Sequence, residues 1–393
     1  MRCQVIYIDP ANPDPDPPER VTKDRWEVIR FTEPIQLSVA NLVKLAKATD
    51  PRASSFAVHA RNRCEVEIWG LVDQGGDYYD FINFESESGA QPPGVFLASI
   101  EGLGRLKARI GFQTIGDLRV ERLVRETVDV LGTGPVGDAL RGGVDAFESR
   151  VRREVGDDMF ERRGHWPISL TANWTETLAR ILLRAQRYGH GGAVLITPDV
   201  SQAELNVKHA IEYDRLRRSL DDQATATIRA VDTSDEIFEI MEGDEDEMPV
   251  LLYLDNSVEE NKRDESRGAL DGAIWFVSLL TRIDGLVLLR PDLEVRGFGV
   301  EITSASVPAS LLLALDSSAG QTQPIEYTRW GTRHRSMMRY CWAIPGSVGF
   351  VLSQDGDVRV MTRIADAVVV WENPLLQMEL DDQEPDDADA PAI

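Results

Sequence analysis

The sequence predicts an α/β protein in two parts, a β-rich N-terminal module and a larger C-terminal α/β domain. Three observations carry this. Up to about residue 130, short apolar runs lie between Gly, Pro and Asp, the pattern of strands and turns. From about 166 to 376 strand and helix patterns alternate, as in a sheet covered by helices. The chain has 393 residues with 42% apolar content, enough for a full core in two or three domains.

Taken in order, Val5-Ile6-Tyr7-Ile8 reads as a first strand, and the proline-rich stretch from Pro10 to Pro18 as a loop that cannot be helical. A helix is expected over Leu37–Ala48, with Leu42, Leu45 and Ala46 on one face. Glu65–Leu71 and Val95–Ser99 read as further strands. Residues 1–135 thus form the β-rich module, and the charged, helical stretch 136–165 reads as a connector. His165-Trp166-Pro167 is expected to break that helical run, and Asn173 or Thr175 could cap a helix over Glu176–Arg187. A Gly-rich turn at Tyr188–Gly192 then enters a buried strand, Ala193–Thr197. The acidic run between Glu242 and Glu247 reads as a solvated loop. Ala269–Arg282 has helical apolar spacing, and Gly285–Leu289 and Val295–Ile302 read as strands. Gly349–Leu352 and Val358–Met361 pair as a hairpin around Asp355-Gly356, and Ala367–Trp371 is a last strand. Residues 377–393 form an acidic, proline-containing tail expected to be disordered.

Composition narrows the function. A net charge of −24 argues against a nucleic-acid backbone or an anionic membrane as main partner, because both select a broad basic surface. Cys3, Cys64 and Cys341 are far apart and form no CxxC pair, which fits a reducing compartment and offers no zinc site. No apolar run approaches the roughly 18 residues of a membrane span. With no signal pattern at the N-terminus, the expectation is a cytoplasmic protein.

Against that acidic background, Gly331-Thr332-Arg333-His334-Arg335 concentrates basic and titratable side chains where a helix is expected to open. The first amides of a helix lack internal partners, and together with two guanidinium forks they favour a phosphate chain. Arg-His-Arg alone reads first as a surface helix start, because exposed arginines need no explanation. Asp284, heading the strand that begins at Gly285, could hold a metal or simply terminate a turn.

The order of these two motifs resembles the diadenylate cyclase (DAC) domain family. In that family an Asp-Gly-Ala motif starts a strand after a helix, and Gly-Thr-Arg-His-Arg opens a later helix. A hairpin carrying Ser-Glu-Glu follows. Here the corresponding segments are Asp284-Gly285-Leu286, Gly331 to Arg335, and Ser353-Gln354-Asp355. The resemblance spans about 200 residues and implies, for 166–376, a central mixed sheet flanked by helices. It departs at Leu286, where the family has alanine, and at Ser336-Met337, where it has two small residues. One hairpin carboxylate is replaced by Gln354 and the other shortened to Asp355. A literal Asp271-Gly272-Ala273 lies at the start of the expected helix rather than of a strand, so Asp284 is taken as the family's aspartate.

The resemblance implies one ATP per domain and a face-to-face homodimer or higher homo-oligomer in which two ATP condense to cyclic di-AMP. Asp284, with Asp355, would hold Mg²⁺ or Mn²⁺. Arg333, His334 and Arg335 would hold the phosphates, with Gly285, Leu286, Gly331, Thr332, Ser336 and Ser353 contacting the nucleotide. The eroded motifs and added N-terminal module also resemble DAC-like domains predicted to sense nucleotides in bacterial conflict systems, which keep the pocket and drop the chemistry.

Two rival signals are weaker. Gly132-Thr133-Gly134-Pro135-Val136-Gly137 has the spacing of a dinucleotide loop, but no firm strand precedes it and no strand with an acid follows about 20 residues on, so it reads as an interdomain turn. His59, His165, His190 and His209 have no partners at metal-ligand spacing, and no serine sits in a nucleophile elbow.

Overall fold

The computed structural model describes residues 2–15, 26–63, 65–86, 94–102, 104–119, 122–124, 128–198, 204–242 and 250–378. The chain divides into two compact units, Met1–Thr127 with Gln377–Ile393, and Val128–Leu376. Both are built on mixed sheets. The end of the Pro10–Pro18 loop, most of the acidic run after Glu242 and the tail beyond Met378 lie outside the described residues.

The first unit holds one eight-stranded sheet. Its strands are β1 (Cys3–Tyr7), β2 (Glu27–Gln36), β3 (Ser54–Ala60), β4 (Val66–Asp73), β5 (Phe96–Gly102), β6 (Arg105–Ile110), β7 (Gln113–Arg119) and β8 (Arg122–Val124), in the order β2-β4-β3-β1-β5-β6-β7-β8. β1 pairs parallel with β3, and the other pairings are antiparallel. Alternation sends Ile6, Ala57, Trp69 and Leu97 into one core with Tyr78 and Ile82 of α2 (Asp77–Ile82). Cys3, Phe56, Val58 and Ile68 pack in a second core with Leu42 and Leu45 of α1 (Val39–Leu45). Ser38 opens α1 by accepting from the Asn41 N–H at 3.2 Å.

The second unit holds a nine-stranded sheet of β9 (Gly192–Ile196), β10 (Leu205–Tyr213), β11 (Leu286–Leu289), β12 (Val295–Ile302), β13 (Leu311–Ala314), β14 (Thr322–Pro324), β15 (Val348–Leu352), β16 (Val358–Ile364) and β17 (Ala367–Glu372). Their order is β10-β12-β11-β9-β15-β16-β17-β13-β14, with β9 parallel to β11 and β13 parallel to β17. β9, β11 and β15 are buried along their whole length, as strands covered on both faces must be. Ala193, Leu195, Leu288 and Val351 pack with Met337, Tyr340 and Cys341 of α8 (Thr332–Ala343). The remaining helices are α3 (Gly134–Val155), α4 (Asp157–Arg162), α5 (Trp166–Arg187), α6 (Arg215–Glu242) and α7 (Val250–Leu280). The segment 136–165 lies in α3 and α4, and α3 packs on α5, α6, β15 and β16 inside this unit.

Several elements differ from the sequence expectation. The helical run does break before Trp166, with α4 ending at Arg162, but the next helix opens at once, because Pro167 costs nothing in a first turn whose amides have no internal partner. α5 therefore starts ten residues before Glu176. α7 begins at Val250, so Asp271 sits well inside a helix, where it pairs with the buried Arg180. The segment at Gly132–Gly137 opens α3, with Pro135 in its first turn, and residues 128–133 form no strand. β10, β13 and β14 carried no clear signal, being polar or short and held by their neighbours' ladders.

Candidate functional site

The start of β11 and the start of α8 meet at one cavity of about 680 Å³, within the range of small-molecule sites. Asp284, Gly285, Leu286, Gly331, Thr332, Arg333, His334, Ser336 and Ser353, nine of the residues singled out above, line it. Arg335 and Asp355 do not. Arg335 instead stacks over Tyr327, with its guanidinium carbon 5.9 Å from the ring centre. On a helix, residues two apart point to different faces, so Arg333 and Arg335 cannot both enter one site. Asp355 is exposed at the turn of the β15–β16 hairpin.

Asp284 heads β11 on a backbone that only glycine permits at the next position. Gly285 has φ +115°, and a Cβ there would lie 2.5 Å from the carbonyl carbon of Gly299. This close crossing of β11 and β12 holds the Asp284 carboxylate out, 93% exposed, with Oδ1 3.5 Å from Nη2 of Arg333. Leu286, the next residue, is buried and supplies apolar lining.

α8 opens at Thr332 with Gly331 as its cap, which has no side chain to satisfy the first-turn amides. Those amides and Arg333 give the cavity a positive wall. Arg333 also touches the turn before β9: a Cβ on Gly191, at φ +63°, would lie 3.0 Å from its Nη1. Ser353 builds the hairpin, its Oγ accepting from the Asp357 N–H at 3.0 Å.

His334 is not a cation here. Burial, then the nearby Arg359 and Arg333 guanidiniums, push its pKa down to about 4, with Asp357 opposing. Its Nε2 lies 3.4 Å from Nη1 of Arg359, which is bound by Glu372 and Asp357, and its ring sits 5.2 Å from that of Trp330. His334 therefore offers a neutral imidazole accepting from Arg359. Arg359 and Gly191 escaped sequence reasoning; 26 and 142 residues separate them from Arg333, and no local pattern points to either. The same holds for Glu301, which lines the cavity and is held by Lys208 at 2.7 Å, a contact that lowers its pKa.

Among the described residues no group of three or more His, Cys, Asp or Glu side chains could hold a metal ion. Asp284 is the cavity carboxylate with no hydrogen-bond donor on it closer than Arg333, since Glu301 is taken by Lys208 and Asn206. One open carboxylate does not fit an all-protein cage. It does fit a hard divalent cation shared with phosphate oxygens, the usual way Mg²⁺ is held beside nucleotides.

A family described as "probable sensor domain DACNV" matches residues 1–73. That stretch runs from β1 through β4, within the first unit, and contains none of the cavity residues. No curated protein matches the chain. Among the described residues no helix is long and apolar enough to cross a membrane.

Proposed function

We propose that this chain is a two-part signalling protein, a sensor module followed by a DAC-like nucleotidyltransferase that condenses two ATP into cyclic di-AMP or a related cyclic dinucleotide. The observation that carries it is the meeting of Asp284 and Arg333 at the mouth of one cavity, from motifs 49 residues apart. The sensor description attaches to the first 73 residues and leaves the cavity free to act as the output.

In this reading Arg333 and the first amides of α8 bind the phosphate chain, and Leu286 packs against the base. Asp284 and the phosphates would share a Mg²⁺ or Mn²⁺, which supplies Lewis-acid stabilisation of charge when bound. The 3′-hydroxyl of one ATP attacks the α-phosphorus of the other and gives up its proton to solvent. The bond to the β-phosphate breaks and pyrophosphate leaves; repeating the step in the other direction closes the ring. Two cavities must face each other, so the active species is a homodimer. Positioning and charge neutralisation do the work, and no protein nucleophile is used.

A second reading is a DAC-like cavity that binds nucleotide without turnover. It is favoured by Asp355 lying outside the cavity, which, with Glu301 held by Lys208 and Asn206, leaves Asp284 as the open carboxylate for the metal. One experiment separates the two: incubate the full chain with labelled ATP and Mn²⁺ or Mg²⁺, and resolve products by chromatography. A cyclic dinucleotide establishes the transferase. Bound ATP without product at any metal concentration establishes the sensing cavity, and no ATP binding overturns both.

A further inference from the structure

We propose that the last turns of α6 and the first turns of α7 form a docking surface for a partner protein, which binds through an amphipathic helix with a basic polar face. This surface lies apart from the nucleotide cavity and does not depend on how that cavity is read.

Both helices outrun the core of their unit. No residue of α6 beyond Ala230 is buried among those described, and none of α7 before Leu270. α4 reaches the near part of this stretch, where Arg162 and Arg163 pair with Asp232 and Asp235. Further out the two helices hold one another. Oδ1 of Asn256 accepts from Thr233 Oγ1 at 2.9 Å and from Ser234 Oγ at 3.0 Å, which fixes the register of this antiparallel pair. Phe238, four residues past Ser234, therefore stands level with Leu252, four residues before Asn256.

Around that level the surface is apolar. Phe238, Met241, Val250, Leu251, Leu254 and Val258 are each half exposed or more, and Leu251 is 74% exposed. Val250, Leu254 and Val258 recur every four residues, and Leu251 lies seven before Val258, so these four make one stripe along α7. Helices bury such a stripe against a neighbour, and among the described residues no element covers this one. A single exposed leucine needs no explanation, whereas an apolar group of this size marks an interaction surface.

Charge identifies the occupant. Residues 231–269 hold 14 acidic and 3 basic side chains, a net charge of −11 out of −24 in about a tenth of the chain. A second copy brings the same −11 to the contact and is repelled. An anionic membrane is repelled likewise, and so is the chain's own stretch 379–393, with seven acidic residues and no basic one. A basic amphipathic helix has the opposite sign. Laid along the stripe, it covers the apolar side chains and completes a three-helix bundle.

The test is fluorescence anisotropy of a labelled Leu/Lys amphipathic helix of about 18 residues, five turns. It is titrated with the full chain at physiological ionic strength, beside a Leu/Glu counterpart. The Leu/Glu helix should bind at least about tenfold more weakly than the Leu/Lys helix. Leu251→Ser combined with Leu254→Ser should weaken Leu/Lys binding at least about tenfold, the scale of losing apolar anchors at an interface. Tm should hold in that variant, because both side chains are exposed. Glu239→Gln with Asp255→Asn should cost about threefold and flatten the salt dependence. Ile168→Ser, on an exposed apolar side chain of α5, should change nothing. Absent Leu/Lys binding, equal Leu/Glu binding, full affinity in the double leucine variant, or an equal loss in the Ile168 variant overturns the proposal. So does a dimer, seen by sedimentation, that the double leucine variant splits into monomers, because the stripe then belongs to a second copy.

Discussion

Gly285 and Gly299 cross backbone to backbone, so closely that a Cβ on Gly285 would lie 2.5 Å from the Gly299 carbonyl carbon and 2.8 Å from the Val300 nitrogen. The crossing sets Asp284 at the exposed mouth of the cavity. Gly285→Ala combines a clash with backbone and a φ of +115° that alanine resists. We expect a loss of about 2 kcal/mol or more, a Tm drop of ~4–8 °C for a domain this size. ATP binding should fall with it. A variant as stable as the parent would show that the two strands separate at no cost.

Asp284→Asn and Arg333→Ala should fail differently. Asparagine keeps the shape but loses the charge that holds the metal near the attacking hydroxyl, so product formation should disappear while ATP affinity changes by less than about threefold. Arg333→Ala removes a phosphate contact made in ground and transition states alike, and should weaken ATP binding about tenfold or more. The ion pair itself is open to solvent and contributes little to folding, so Tm should hold in both. Equal loss of ATP affinity in the two variants would show that these roles are wrongly divided.

His334 should stay neutral through the physiological range and titrate near pH 4, readable as the pH dependence of its ring resonances. The unfolded chain binds this proton near pH 6.5, and the folded one does not until about 4. Between those values the unfolded state carries more protons, so stability declines as pH falls from 6.5 towards 4. His334→Gln should flatten that decline in a Tm-versus-pH series. The ratio of wild-type to variant ATP affinity should be constant from pH 6 to 8. A ratio that rises as pH drops would mean His334 binds phosphate as a cation.

Turnover, if two cavities must face one another, should depend on protein concentration. The rate at fixed ATP should rise with the second power at low protein and become linear once dimers dominate. With a net charge of −24 the subunits repel, so moderate salt should help association and high salt should weaken phosphate binding, giving an optimum between. Strict linearity at concentrations where the chain is demonstrably monomeric would rule out the facing-dimer mechanism.

Local signals told much of the story by themselves. Val295–Ile302 is β12 to the residue, and the helix opening at Thr332 is α8, because strand alternation and a glycine before a helix act within a few residues. The resemblance of two short motifs to the DAC family made Asp284 and Arg333 candidates for one site. What the tertiary structure alone decided is how each side chain is used. Arg335 turns onto Tyr327, Asp355 stays on its hairpin, and Asp271 is spent on Arg180 deep in α7. His334 loses its charge to burial and to Arg359, 25 residues further on, and Gln377 reaches Lys107 and Arg109 from the far end of the chain. Charge state and direction depend on solvent exclusion and on neighbours distant in sequence, and neither is encoded in the spacing of a motif.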